Sequence, residues 1–329
     1  MKIVITDYPD EIKGRDTEYE RRLFQRELGE DARVEVYAYR DQEELIRHLE
    51  DADGVLTAYI PFDRELLSRC RRLKAISINA TGYNFIDLEE TIRRDVAVCA
   101  IGEYCTREVA DHTMAMLLAL SRRLKDYQRD VEVRREWRCY FIPPPDRLEG
   151  QTLGIIGLGK IGKAVARRAA AFGLRILAND PLLTPETAAE YGVTIADVDT
   201  ILEQSDIISN HMDANETNTG YFDRSKFSKM KKKPIFLNLS RGICMVEKDL
   251  VEALDRGDVS AAGLDVLEAE SPDLQNCPLL GRDNVLITPH SAFYSKQAFR
   301  DLQDVSCMNL VRCLTGRRSE AFRVVNGLV

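Results

Sequence analysis

The chain has 329 residues, enough for two domains, and its 44% apolar and 30% charged residues exclude a disordered chain. A net charge of −8 leaves no basic excess for a nucleic-acid backbone to grip. No run approaches the ~18–20 apolar residues of a membrane span, and the start MKIVITDYPDE, with one lysine and then acids, does not read as a secretory signal. Eight cysteines (70, 99, 105, 139, 244, 277, 307 and 313) contain no C-x-x-C pair and read as reduced packing residues. The expectation is a soluble, cytoplasmic protein.

In chain order, KIVIT (2–6), ARVEVYAY (32–39), GVLTAY (54–59), KAISINA (74–80) and VAVCAI (96–101) predict strands. Amphipathic stretches such as 18–28 and 42–49 lie between them and predict helices. Such alternation implies βαβ crossovers and a parallel sheet. A long helix is predicted from Thr106 through MAMLLAL to Ser121, and a second, heavily charged one over 122–138. FIPPPDRLEG (141–150) then forbids helix and sheet alike.

Beyond that breaker the alternation restarts. TLGIIG (152–157), RILAND (175–180), DIISNHM (206–212), PIFLNLS (234–240), AAGLDV (261–266) and NVLITP (284–289) predict strands. Helices are predicted between them, for example over 248–256, and a last one over 295–314. The pattern predicts two α/β units of related design. The lysine-rich KMKKKP (229–234) reads as a solvated turn, given the overall acidity.

Gly157-Leu158-Gly159-Lys160-Ile161-Gly162 is a G-x-G-x-x-G that follows a predicted strand and opens a predicted helix. The first glycine allows a tight turn, the second lets a pyrophosphate reach the backbone, and the third permits close helix–strand packing. Asp180 ends the next strand 18 residues after the last glycine. An acid there accepts both adenosine ribose hydroxyls and repels a 2′-phosphate, so the motif predicts NAD over NADP. The G-K-[ST] ending of a triphosphate-binding loop is missing.

Hydrolase and zinc signatures (G-x-S-x-G, H-E-x-x-H, spaced cysteine–histidine clusters) do not occur, and no metal site is expected. Of four histidines, His48 reads as a surface residue on a charged helix and His112 as a packed or interface residue. His211 and His290 fall at the C-terminal ends of predicted strands, the edge where open α/β sheets bind ligands, although each alone reads first as structural. Arg241 ends another strand, and Asp265 and Glu270 follow a further one. Arginine grips a carboxylate with two prongs. A carboxylate beside a histidine stabilises the imidazolium, which can then release its proton in a transition state. Together these groups would dock a 2-oxo acid and protonate its carbonyl oxygen.

With NATGYNFID (79–87), EYCTREVADHTMAMLL (103–118), GLGKIG and Asp180, NLSRG (238–242), AGLDVLEAE (262–270) and ITPHSAF (287–293), the chain resembles the D-isomer-specific 2-hydroxyacid dehydrogenase family along essentially its whole length. The resemblance implies two Rossmann-like doubly wound parallel-sheet domains. Residues 1–100 plus 295–329 would form a discontinuous substrate (catalytic) domain, and 101–294 an NAD-binding domain. A helix and arm over about 104–145 would hold a homodimer, with His112 and Trp137 packing at the interface.

The resemblance further implies Arg241 as the substrate anchor, His290 as general acid/base and Glu270 as its partner. Backbone amides of Thr81 and Gly82 would help bind the substrate carboxylate. Cofactor contacts would fall on Gly157, Gly159, Lys160, Ile161, Gly162, Asp180, Met212, Asp213, Asn218, Leu239, Ser240, Arg241 and Asp265, the last hydrogen-bonding the nicotinamide carboxamide. Two positions depart from the family pattern. Asp213 replaces a usual proline after the strand ending at His211, and Ser271 replaces a frequent proline after the catalytic acid.

Tyr59, Tyr104 and Phe293 match aromatic positions of D-lactate-type members, which favours a small unphosphorylated 2-oxo acid such as pyruvate or phenylpyruvate. Plain packing is an equal reading for Tyr59. Formate dehydrogenases pair their histidine with glutamine instead, and phosphoglycerate dehydrogenases often add a regulatory domain for which the tail is expected to leave no room. A glyoxylate/hydroxypyruvate reductase is the alternative within the family. A different class is an NAD-sensing corepressor of the same fold, against which the absence of a long disordered tail argues.

Overall fold

The computed structural model describes residues 1–140 and 142–329. Phe141, the first residue of the proline-rich breaker, lies outside the described residues. The chain divides into two compact units, Met1–Tyr104 with Ser295–Val329, and Cys105–Tyr294.

The first unit holds five parallel strands: β1 (Lys2–Asp7), β2 (Arg33–Ala38), β3 (Gly54–Thr57), β4 (Ala75–Ile78) and β5 (Ala97–Cys99), in the order β2-β1-β3-β4-β5. All six residues of β1 are buried, because helices cover both faces of a doubly wound sheet. Successive side chains go to opposite faces. Val4 joins Leu45, Val55, Phe62 and Ile76 on one side, while Ile3 and Ile5 join Phe24, Leu56, Cys307 and Leu310 on the other. The second face depends on the helix Lys296–Leu314, which is why the unit needs two separate pieces of chain. Burying a side chain such as Leu310 contributes roughly 1.5–3 kcal/mol. Asp16, Asp41, Asp63 and Asp87 each start a helix by accepting the backbone N–H three residues on, at about 1 kcal/mol per cap.

The second unit holds seven parallel strands: β6 (Thr152–Ile156), β7 (Arg175–Asn179), β8 (Thr194–Ile195), β9 (Ile207–Asn210), β10 (Ile235–Asn238), β11 (Ala261–Leu264) and β12 (Val285–Ile287). Their order is β12-β11-β10-β9-β6-β7-β8. The order reverses at β6, so the chain leaves the sheet in opposite directions on either side of the β6–β9 pair, where such folds bind ligands. The long helix Thr106–Ser121 lies on this sheet, with Val109, Ala110, Leu117 and Leu120 packed among Val165, Ala166 and Leu237.

Two local expectations are corrected. The charged helix predicted over 122–138 is only Leu124–Arg129, followed by a π-helical turn Asp130–Arg134. It has no apolar face to bury, since Leu124, Val131, Val133 and Trp137 are all exposed, and an unpacked helix is marginal. Cys139 is exposed rather than a packing residue, whereas Cys70, Cys99, Cys244, Cys307 and Cys313 are buried. Apart from β1, which runs one residue beyond its predicted end to Asp7, the predicted strands end one or two residues past the observed ones, where the chain leaves the sheet as loops, and β8 is a strand that the sequence pattern does not predict. Among the described residues, no helix is long and apolar enough to cross a membrane.

Candidate active site

At the centre of the second sheet, β6 runs into the glycine turn. Gly157 has φ +92°, and a Cβ there would lie 2.6 Å from the His211 carbonyl carbon. A Cβ on Gly162 would lie 2.3 Å from the Gly157 oxygen, so the helix Lys160–Ala171 starts against the turn itself. Gly159 is the opposite case, with nothing within 4 Å of its Cβ position. That open position, beside a helix start with no side-chain cap, fits a diphosphate approaching free backbone N–H groups. Lys160 and Ile161 form the first turn of this helix.

Asp180 follows β7 and reaches back under the loop. Its Oδ2 accepts the Leu158 N–H at 2.8 Å and its Oδ1 the Leu182 N–H at 2.8 Å. A carboxylate has about four acceptor sites, so capacity remains for two ribose hydroxyls. The residues present fit a dinucleotide.

Past β9, His211 lies beneath the glycine turn. Its Nε2 pairs with Ser209 Oγ at 2.8 Å, while its Nδ1 is sealed from solvent without a partner. Burial pushes the imidazole down to about 4, so the ring is neutral at pH 7. Met212 carries its N–H to Asn210 Oδ1 at 3.2 Å and its carbonyl to Ser240 Oγ. Where the family's usual proline would stand, Asp213 is exposed, and its carbonyl accepts the Asn218 side-chain amide. Asn218 also accepts the Asn215 N–H at 2.8 Å, so this asparagine is buried as the staple of the 213–218 loop.

Past β10, Leu239 is buried and Arg241 is exposed. Asn238 donates to the Arg241 carbonyl at 3.1 Å, and the Arg241 guanidinium donates to the Ser240 carbonyl at 2.9 Å. Gly242 has no space for any side chain, since a Cβ would lie 1.6 Å from the Leu267 oxygen. The contact holds the β10 and β11 exits together.

At those exits, Asp265 is 2% exposed and takes donors from Thr288 Oγ1, Ser291 N at 2.9 Å and Ala292 N at 3.0 Å. Its backbone carbonyl accepts the His290 N–H at 2.8 Å. Asp265 therefore clamps the turn that carries His290, whose φ of +49° is rare for a residue with a Cβ. His290 Nδ1 lies 2.8 Å from Glu270 Oε2, and the Phe293 ring meets the imidazole edge-to-face at 6.3 Å. His112 bonds Thr288 Oγ1 at 3.1 Å, adding a third layer behind Asp265. Sequence reasoning found the acid and the histidine but not this clamp, nor the left-handed backbone beneath His290.

The remaining site candidates belong to the first unit. Tyr59 follows β3 and is 49% exposed; Thr81 and Gly82 follow β4; Tyr104 ends the unit. A residue not singled out from sequence stands at the same edge. Asp7, fully buried at the end of β1, accepts the Ala58 N–H at 2.6 Å and the Tyr59 N–H at 3.3 Å, and burial pushes it up to about 6. His48 is not a bare surface residue: it pairs with Glu35 and stacks on Tyr37 at 4.3 Å.

The sequence signature described as D-isomer specific 2-hydroxyacid dehydrogenase, NAD binding domain, matches residues 114–292. A hydroxypyruvate reductase of Blautia hydrogenotrophica is 35% identical, covering 88% of this chain and 90% of its own. The chain belongs to the D-isomer-specific 2-hydroxyacid dehydrogenase family. A glyoxylate reductase of Thermofilum pendens is 32% identical over 85% of this chain and 84% of its own. The crystal structure of D-lactate dehydrogenase with NAD+ from Lactobacillus jensenii superposes with a TM-score of 0.84 at 26% identity, covering 99% of both chains. This family member is an NAD-dependent oxidoreductase of 2-hydroxy acids, built from two doubly wound parallel-sheet units.

Proposed function

We propose that the protein reduces a small unphosphorylated 2-oxo acid, with His290 as the general acid and Arg241 as the carboxylate anchor. The observation that carries this reading is the 2.8 Å pair of His290 Nδ1 with Glu270, held at the β11 and β12 exits by Asp265. With Nδ1 donating to Glu270, the Nε2 proton is left for the substrate carbonyl oxygen. Glu270 accepts from Nδ1 and so fixes the orientation of the imidazole. The Arg241 fork holds the substrate carboxylate and fixes which face of the carbonyl is presented. NADH, when bound, supplies the hydride for C2. In the oxidative direction His290 takes the hydroxyl proton instead.

Cofactor contacts are assigned to Gly157, Gly159, Lys160, Ile161, Gly162, Asp180, Met212, Asp213, Leu239, Ser240, Arg241 and Asp265. Asn218 is assigned to shaping their loop, because its amide is spent on Asp213 and Asn215. Tyr59, Thr81, Gly82, Tyr104 and Phe293 are assigned to the substrate.

Phe293 against the imidazole and the likeness to a D-lactate dehydrogenase support pyruvate or phenylpyruvate. The 35% identity to a hydroxypyruvate reductase supports a second reading, hydroxypyruvate or glyoxylate. NADH oxidation against glyoxylate, pyruvate, hydroxypyruvate and phenylpyruvate decides between them by kcat/KM. Activity with none of the four would reject the reading. We also assign a homodimer to the 104–145 segment, supported by the exposed Val133, Trp137 and Tyr140. Light scattering on wild type and Trp137→Ala checks it. Eight free thiols support a cytoplasmic location.

A further inference from the structure

The first unit contains a cysteine pair that the proposed chemistry does not use. Cys99 ends β5, and Cys313 lies in the last turn of the helix Lys296–Leu314, 214 positions further on. Their Sγ atoms are 3.4 Å apart, and the residues are 1% and 5% exposed. A disulfide needs about 2.05 Å between sulfurs, so the gap closes with small side-chain rotations. Cys313 also lines an open cavity of about 540 Å³, together with Lys74, Arg318, Ser319 and Val329. Small oxidants can approach through it. Cys313 lines this cavity and Cys99 does not, so Cys313 is the sulfur that an incoming oxidant meets first.

We propose that Cys99 and Cys313 form a peroxide-sensitive, reversible disulfide that staples together the two chain segments of the first unit. The Cys313 thiolate attacks a hydroperoxide, forming an S–O bond as the O–O bond breaks, and the departing oxygen takes a proton to leave as an alcohol or water. The Cys99 sulfur then attacks the sulfenic sulfur. The S–S bond forms, the S–O bond breaks, and water leaves with the Cys99 proton. Two thiols lose two electrons and the peroxide gains them. A thiol reductant reverses the bond. The staple joins β5 to the helix that covers its sheet, so it limits the freedom of the unfolded chain and stabilises this unit.

The full-length enzyme, treated with hydrogen peroxide, alkylated under denaturing conditions and digested with trypsin, tests the proposal. A linked pair of peptides 95–107 and 313–317 is expected, lost on treatment with dithiothreitol. Cys105 shares the first peptide, so fragment ions must place the bond on Cys99. The exposed Cys139 reports in the same sample that peroxide was active. Oxidised Cys139 with Cys99 and Cys313 still free, a bond through Cys105, or Cys313 carried to its sulfinic acid without pairing would each overturn the proposal. Oxidised wild type should also melt several degrees above the reduced enzyme, and Cys99→Ser should show no such rise while keeping its NADH-dependent turnover. An equal rise in Cys99→Ser would assign the stabilisation to another cysteine.

Discussion

His211 allows an acid-stability prediction with a magnitude. Burial lowers its imidazole from 6.5 to about 4, while the unfolded chain keeps the ordinary value. Because the folded value is depressed in a base, the stability that burial of the neutral ring allows is fully present above pH 6.5. It is lost as pH falls toward 4. Between pH 8 and pH 4.5 the linkage amounts to about 2.5 kcal/mol. His211→Gln keeps a group able to bond Ser209 but cannot titrate. Asp7 works in the opposite sense, since its carboxyl is raised to about 6 and stabilises the fold as pH falls from 6 to 3.8. The wild-type-minus-variant difference removes that contribution. Urea unfolding followed by circular dichroism at pH 8, 6.5, 5.5 and 4.5 should show wild type losing about 2.5 kcal/mol more than His211→Gln. Parallel pH dependences, or a His211 proton resonance that titrates near 6.5, would refute the argument. The glycine turn rests on the His211 backbone, so NADH affinity should weaken over the same acid range in wild type.

Other outcomes follow from the site. Asp180→Ala should weaken NADH binding and relieve the repulsion of a 2′-phosphate, narrowing the NADH/NADPH ratio in kcat/KM; an unchanged ratio would remove Asp180 from cofactor choice. Arg241→Lys keeps the charge but not the planar fork, and kcat/KM for the 2-oxo acid should drop by about 100-fold, whereas a value within about twofold would mean another group anchors the carboxylate. Glu270→Gln preserves a hydrogen bond to His290 without the charge, so steady-state kinetics should show kcat for reduction down about tenfold with KM little changed. Gly242→Ala would drive a Cβ into the Leu267 carbonyl, and a variant with wild-type melting temperature and activity would show that the β10 and β11 exits are not held by this contact.

Much of this architecture follows from the linear sequence, because strand runs and helical stripes repeat at the periods that local geometry imposes. The helices Gln42–Leu49 and Thr106–Ser121 come out at the predicted residues, and the glycine loop is legible because its spacing encodes a strand, a turn and a helix start. The pairing of Glu270 with His290 is legible only through the family resemblance, since twenty positions separate them and no local period connects them. What no sequence pattern carries is the third dimension of the polar groups. The sequence marks Asp265 as a strand-end acid and, by resemblance, a cofactor contact, but only when β11 and β12 lie side by side does it collect three donors from the turn bearing His290. His211 reads from sequence only as a strand-end histidine, structural by default, and packing alone shows that its ring is removed from water. The sulfurs of Cys99 and Cys313 meet only because the last helix returns to cover β5. Local periodicity is a property of neighbouring residues, whereas proton affinity, left-handed backbone at a histidine and thiol contact depend on what distant segments bring into the same few ångströms.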